Sequence, residues 1–155
     1  GKDTVIEVPS KVDGYIVSGI DNFAFSGRSD LKSVIIPDTV TGISTEAFSD
    51  CSGLTSITIP KNVNSFGINV FTGCNSLASI VVDEENKVFD SRDNCNAIIE
   101  TSSKKLLYGC KNTVIPKSVT SINEDAFSEC SGLTSITIPD TVTSIGENAF
   151  EGCSG

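Results

Sequence analysis

Six cysteines and twenty acidic residues are the side chains of this 155-residue chain with most chemistry to offer, and no histidine accompanies them. A thiol reacts as its thiolate, which needs a base or a cation beside it. With no histidine to serve as that base, no Cys–His or Ser–His pair exists, no catalytic residue is assigned, and the chain reads as non-enzymatic. Cys51, Cys74, Cys130 and Cys153 fall at one position of a recurring frame. Their regular spacing reports that frame rather than a C-x-x-C metal site. They read as buried, reduced thiols packing as small hydrophobes. In a stack of like coils their Cβ vectors run parallel, which disfavours disulfides between neighbours. Cys95 and Cys110 break the frame. They bound the segments 95–100 and 105–110 on either side of Thr101-Ser102-Ser103-Lys104, two apolar runs around a polar turn, which is a β-hairpin pattern. The symmetric register pairs Glu100 with Lys105 and Cys95 with Cys110. A disulfide there, consistent with export, and a pair of free thiols are both open.

Acidic residues gather at Asp83, Glu84 and Glu85 and at Asp90 and Asp93. Carboxylates can ligate Ca²⁺, but this spacing fits no EF-hand loop, and a solvated loop is the favoured reading. No carboxylate pair stands out for hydrolysis, and there is no phosphate-binding glycine loop. No metal site or cofactor is assigned. The net charge of −9 argues against nucleic acid and against anionic membranes, and suits solubility. No apolar run is long enough to span a bilayer, so membrane insertion is not expected; no signal-peptide pattern occurs in these residues, and removal of one with a missing N-terminus stays open.

These side chains are placed by a 23-residue repeat. Residues 31–53, 54–76 and 133–155 share the frame L-x-S-[IV]-x-I-P-x-x-V-x-x-[IF]-x-x-x-[AV]-F-x-x-C. A period of this length marks a solenoid of stacked supersecondary units. Six units tile the chain: 4–30, 31–53, 54–76, 77–109 with the hairpin inserted, 110–132 and 133–155. The absence of methionine and the unit ending at Gly155 suggest a piece of a longer array. Each unit opens with a strand, such as Ser56-Ile57-Thr58-Ile59, whose alternation puts the isoleucines inside and Ser56 and Thr58 outside. Pro60 ends that strand. The stretch 68–74, and 145–153 in the last unit, reads as a short helical or 3₁₀ turn. Stacking then predicts ladders of Leu31, Leu54, Leu77 and Leu133; of Ile36, Ile59, Val82, Ile115 and Ile138; and of Phe25, Phe48, Phe71, Phe127 and Phe150.

The frame L-x-S-I-x-I-P…V-x-x-I…A-F-x-x-C resembles the BspA-type, or Treponema-type, leucine-rich repeats over nearly the whole chain, and the Asp13-Gly14-Tyr15 segment and inserted hairpin resemble variants of that family. The resemblance implies an α/β solenoid, a right-handed superhelix with parallel strands on its concave face and short helical turns on the return path. It also implies a secreted or surface protein of host-associated bacteria, in some members adhesive toward host matrix proteins or other cells. The chain lacks the asparagine ladder of commoner leucine-rich repeats. The corresponding positions are Thr39, Asn62, Glu85, Ser118 and Thr141, so backbone groups at that turn must be satisfied otherwise.

The outward strand positions are the candidate binding residues: Ser33, Ser56, Ser79, Asn112 and Ser135 in one row, and Ile35, Thr58, Val81, Val114 and Thr137 in the next. Exposed apolar residues among them can mark a partner surface, or can reflect only the β-propensity of branched side chains. The expected function is a protein-binding or adhesion module contacting a protein partner through this sheet. A structural spacer presenting other domains is the alternative, favoured by the identity of 54–60 and 133–139, since binding faces usually diversify. An apolar edge at 133–155 predicts end-to-end self-association.

Overall fold

The computed structural model describes residues 4–155 and shows a parallel β-solenoid. The first coil carries β1 (Val5–Glu7), a small hairpin of β2 (Lys11–Val12) and β3 (Tyr15–Ile16), and β4 (Gly19–Ile20). The second and third carry β5 (Ser33–Ile35) with β6 (Gly42–Ile43), and β7 (Ser56–Ile59) with β8 (Ser65–Phe66). The fourth holds β9 (Ser79–Val82), β10 (Phe89–Asp90), β11 (Ile98–Glu100) and β12 (Lys105–Tyr108). β13 (Ser121–Ile122) and β14 (Ser144–Ile145) belong to the fifth and sixth. The opening strands form one sheet in the order β1-β5-β7-β9, all parallel. Its register puts Ser33 beside Ser56 and Ser56 beside Ser79, and Val34, Ile57 and Ile80 beside one another underneath, all buried. A second wall is built by β4-β6-β8.

The third side of each coil was expected to be helical, but it is a run of turns. An α-helix keeps its N–H groups for itself. Here every second one crosses to the next coil: Glu46, Phe48 and Asp50 donate to the carbonyls of Ile68, Val70 and Thr72 at 2.9, 3.1 and 2.8 Å. The intervening amides of Ala47, Ser49 and Cys51 close local turns onto Ser44, Glu46 and Phe48. Left-handed residues four apart, Glu46 and Asp50 or Asn69 and Gly73, make this alternation and exclude a continuous helix. The sole helical element among the described residues is a 3₁₀ turn at Arg92–Asn94, inside the insertion. The α/β description is therefore corrected to an almost purely β solenoid.

The insertion joins the wall instead of projecting from it. β10, β11 and β12 pair antiparallel, and β12 then pairs in parallel with β13, and β13 with β14. Two added strands reverse the chain twice, so β12 leaves in the direction that a parallel neighbour requires. The hairpin also divides the core. Ile98 and Tyr108 pack with the cluster of coils one to four, whereas Ile99 and Leu106 pack with that of coils five and six. Phe25, Phe48 and Phe71 stack at 5.2 and 5.8 Å between ring centroids, and Phe127 stacks on Phe150 at 5.0 Å. Between the two runs Tyr108 meets Phe71 edge-on, and its hydroxyl donates to the Gly67 carbonyl. Gly109 takes the aromatic position of its coil: its N–H donates to Ala126 O as Phe48 N–H does to Val70 O, and a Cβ there would lie 2.0 Å from the Phe127 ring.

Candidate binding surface

The strands place six of the ten outward residues on one continuous sheet. Ser33, Ser56 and Ser79 form a flat hydroxyl row, continued by Val5 opposite Ser33. Beside it run Glu7, Ile35, Thr58 and Val81, with Ile35 54% and Val81 45% exposed. At the turn below this face, Lys61 Nζ sits between Asp38 and Glu85 at 3.5 and 3.6 Å, bridging three successive coils.

The other four residues do not join that sheet. The segments 112–116 and 133–139 form no strand, and no backbone hydrogen bond links them among the described residues. An open cleft of about 360 Å³ separates them, lined by Thr113, Val114, Ile115 and Lys117 on one wall and Ser135, Ile136, Thr137 and Pro139 on the other. The two coils remain joined elsewhere, through β13–β14, the Phe127–Phe150 stack and the bond from Glu129 N–H to Glu151 O at 2.7 Å. They therefore open as a wedge on the face where a continuous sheet was expected. Asn112, Val114, Ser135 and Thr137 remain exposed, and Val114 and Thr137 line opposite walls of the cleft instead of neighbouring one another in a ladder. Ile138, expected to be interior, is 39% exposed.

The cause lies in the preceding coil. Thr113, at the inward position held by Val34, Ile57 and Ile80, donates its hydroxyl to Asn96 O at 2.7 Å and accepts the Cys110 N–H at 2.8 Å. Val114 N–H donates to Cys95 O at 3.0 Å. The opening segment of coil five is thus tied to the insertion.

All six cysteines are free. The hairpin has the expected Glu100–Lys105 pair, but a bulge follows, setting Ile98 opposite Tyr108 instead of Leu107. The symmetric pairing of Cys95 with Cys110 is lost, and of the two open readings the structure has the pair of free thiols, both buried, with Cys110 Sγ donating to Asn96 O at 3.4 Å. The repeat cysteines are more than small hydrophobes. Cys51, Cys74 and Cys153 donate S–H to the carbonyls of Phe25, Phe48 and Phe127 in the preceding coil, at 3.0, 3.1 and 3.1 Å. Burial pushes the thiols of Cys51, Cys95 and Cys130 up to about 11, and raises that of Cys74 as well, so these groups are held as neutral donors.

Of the acidic loop, Asp83 accepts the Glu85 N–H and Glu85 pairs with Lys61. Burial raises the Asp90 carboxyl, but bonds from Arg92 and Thr101 outweigh it and leave the group below its ordinary value. No group of three or more metal-ligating side chains exists among the described residues. The missing asparagine ladder is replaced by other donors. Thr39 and Thr141 hydroxyls reach Val17 O and Val119 O at 2.7 and 2.9 Å, and Asn62 reaches Asp38 O at 2.8 Å. In coil four the role passes from Glu85 to its neighbour Asn86. That buried side chain donates to Pro60 O and Val63 O and accepts the amides of Val88 and Phe89. Sequence reading missed Asn86 because it sits one position out of frame. It also passed over the apolar hairpin of β2 and β3, where Tyr15 is exposed. No helix of the described residues is long and apolar enough to cross a membrane.

A leucine-rich cell-surface protein of Faecalibacterium prausnitzii is similar to this chain in structure, at 30% identity and a TM-score of 0.72, over 94% of this chain and 38% of that one. The pneumococcal vaccine antigen PcpA matches at 26% identity and a TM-score of 0.77, over 96% and 37%. A leucine-rich repeat protein of T. pallidum shares the fold at 22% identity and a TM-score of 0.57, over 99% and 78%. The chain thus spans less than two fifths of the length of the first two. No curated protein sequence matches it. The family model for the BspA type leucine-rich repeat region matches six copies over residues 6–106 and 100–155, and the chain belongs to that family.

Proposed function

We propose that this chain is a protein-binding module of a bacterial cell-surface or secreted protein, contacting a protein partner through the face of the opening strands. The observation that carries the reading is the exposure of Ile35 and Val81 in one row of the continuous sheet, flanked by the serine row. Branched apolar residues among small hydroxyls make a flat, weakly hydrated surface that a partner can dry on contact. The cell-surface and vaccine-antigen descriptions of two similar structures support an exported setting. The buried, neutral thiols and the acids engaged in structural bonds favour binding over catalysis. The test is surface binding of the chain to immobilised host matrix proteins and to whole cells. Binding abolished by Ile35→Glu with Val81→Glu supports the proposal, and binding that survives both changes removes this face from it.

A spacer role is the second reading, favoured by the identity of 54–60 and 133–139. The two copies stand in unlike surroundings, one inside a sheet and one on an open cleft, which a uniform rod does not require.

A further inference from the structure

We infer that the cleft between coils five and six is a docking slot for an extended peptide segment, which enters as an added β-strand between 113–115 and 135–137. The inference deepens the proposed protein-binding role and rests on it, in that it names the form of the protein ligand at the C-terminal end of the same face.

Three observations carry it. First, both walls have main-chain groups left unpaired. Residues 134–138 take part in no hydrogen bond among the described residues, and Val114 uses its N–H on the insertion side only. Where coils one to four stack, the same positions are bonded coil to coil, so these edges have the chemistry of an open sheet seam. A strand supplying donors on one edge and acceptors on the other satisfies both walls, and this is the mode by which sheet edges capture peptides. Second, the cleft is lined mainly by branched or apolar residues, among them Val114, which is 71% exposed, Ile115, Ile136, Thr137 and Pro139. They suit an occupant rich in β-branched residues and disfavour a charged one in its middle. Third, the charges at the mouth are split. Lys61 pairs across coils with Asp38, 23 residues earlier. Lys117 and Asp140 stand in the same relation, and the cleft leaves them without an ion pair among the described residues. Lys117 lines the cleft and Asp140 does not, so a strand running parallel to 113–115 meets the lysine at its C-terminal end, and an acidic residue there complements it.

The probe is a synthetic peptide, Thr-Ser-Ile-Thr-Ile-Glu, which copies the strand of the repeat and adds the acidic end. It is titrated calorimetrically into the 155-residue chain. Saturable one-to-one binding is expected. At least tenfold weakening should follow from methylating alternate peptide amides, from Val114→Asp and from Lys117→Glu, and a lysine-ended peptide should recover affinity for Lys117→Glu. The altered positions are solvent-facing, so the fold tolerates the changes. Ile35→Glu with Val81→Glu should leave peptide binding intact, which separates failure of the slot from failure of the sheet face. No saturable binding, binding indifferent to amide methylation, or binding lost with Ile35→Glu and Val81→Glu but kept in Val114→Asp overturns the inference.

Discussion

Residues 54–60 and 133–139 are the same seven amino acids, Leu-Thr-Ser-Ile-Thr-Ile-Pro, in two different structures. In the third coil they form β7, with Ile57 and Ile59 sealed between β5 and β9. In the sixth coil they form no strand, Ile138 is 39% exposed, and a cleft opens beside them. Local propensity and alternation are equal by construction, so the neighbours decide: 54–60 have a paired strand on either side, and 133–139 have coil five alone beside them among the described residues. The strand preceding 54–60 presents Val34. The segment preceding 133–139 presents Thr113, whose hydroxyl and neighbouring amide are committed to residues 95 and 96 of the insertion. A strand in a solenoid is a property of the pair of coils rather than of its own sequence.

The comparison is sharpened most by cutting the same side chain from both copies. Ile57→Ala should cost about 2–5 kcal/mol, the usual range for a fully buried aliphatic side chain, and Ile136→Ala under about 1 kcal/mol, because Ile136 is only partly covered. Urea unfolding of the two variants measures both, and equal losses would break the comparison. Next comes the seam between the halves. Gly109→Ala drives a methyl into the Phe127 ring and should cost about 1–3 kcal/mol, with Phe127→Leu relieving part of it in a double-mutant cycle.

Thr113→Val tests the proposed cause. It removes the bonds to Asn96 and Cys110, leaving buried groups unpaired at about 1–2 kcal/mol, and it loosens coil five from the insertion, to which the Val114 N–H still donates. Thermal unfolding should show the loss, and amide exchange at 135–138 should slow as the cleft closes.

The smallest effect concerns the insertion's anchor. The folded Asp90 carboxyl titrates below the ordinary aspartate value of 3.8, so the stabilisation from Arg92 and Thr101 is in full force above that pH and disappears as pH falls through the depressed folded value. Asp90→Asn should cost about 1 kcal/mol at neutral pH, since the pair is partly exposed, and should flatten the acid limb of a stability–pH profile.

Much of this molecule was legible in its sequence. The Leu54, Ile57 and Ile59 alternation gave the sheet, the Phe25, Phe48 and Phe71 spacing gave the stacked rings, and the polar turn at 101–104 gave the hairpin. What failed depended on pairing between coils. The helical turns were misread because the A-F-x-x-C run looks locally helical, while its alternate amides are claimed by the next coil. The Cys95–Cys110 pairing was misplaced by a single bulge at Leu107, for which no residue type gives a signal. The rows of candidate residues were extended through Asn112, Val114, Ser135 and Thr137 by period alone. The one clue to the break was Thr113 where the frame calls for valine or isoleucine.

Amide hydrogen exchange resolved along the chain is the direct test of this account. Residues 56–59 and 135–138 share a sequence, so their intrinsic exchange rates are alike and any difference reports structure. The account requires strong protection across β7 and exchange at 135–138 close to the unprotected rate, while the amides of Thr143 and Gly146 in the same coil, which donate to Thr120 O and Ile122 O, remain protected. Comparable protection of the two copies would show that coils five and six are zipped like the rest, and the open face would not exist.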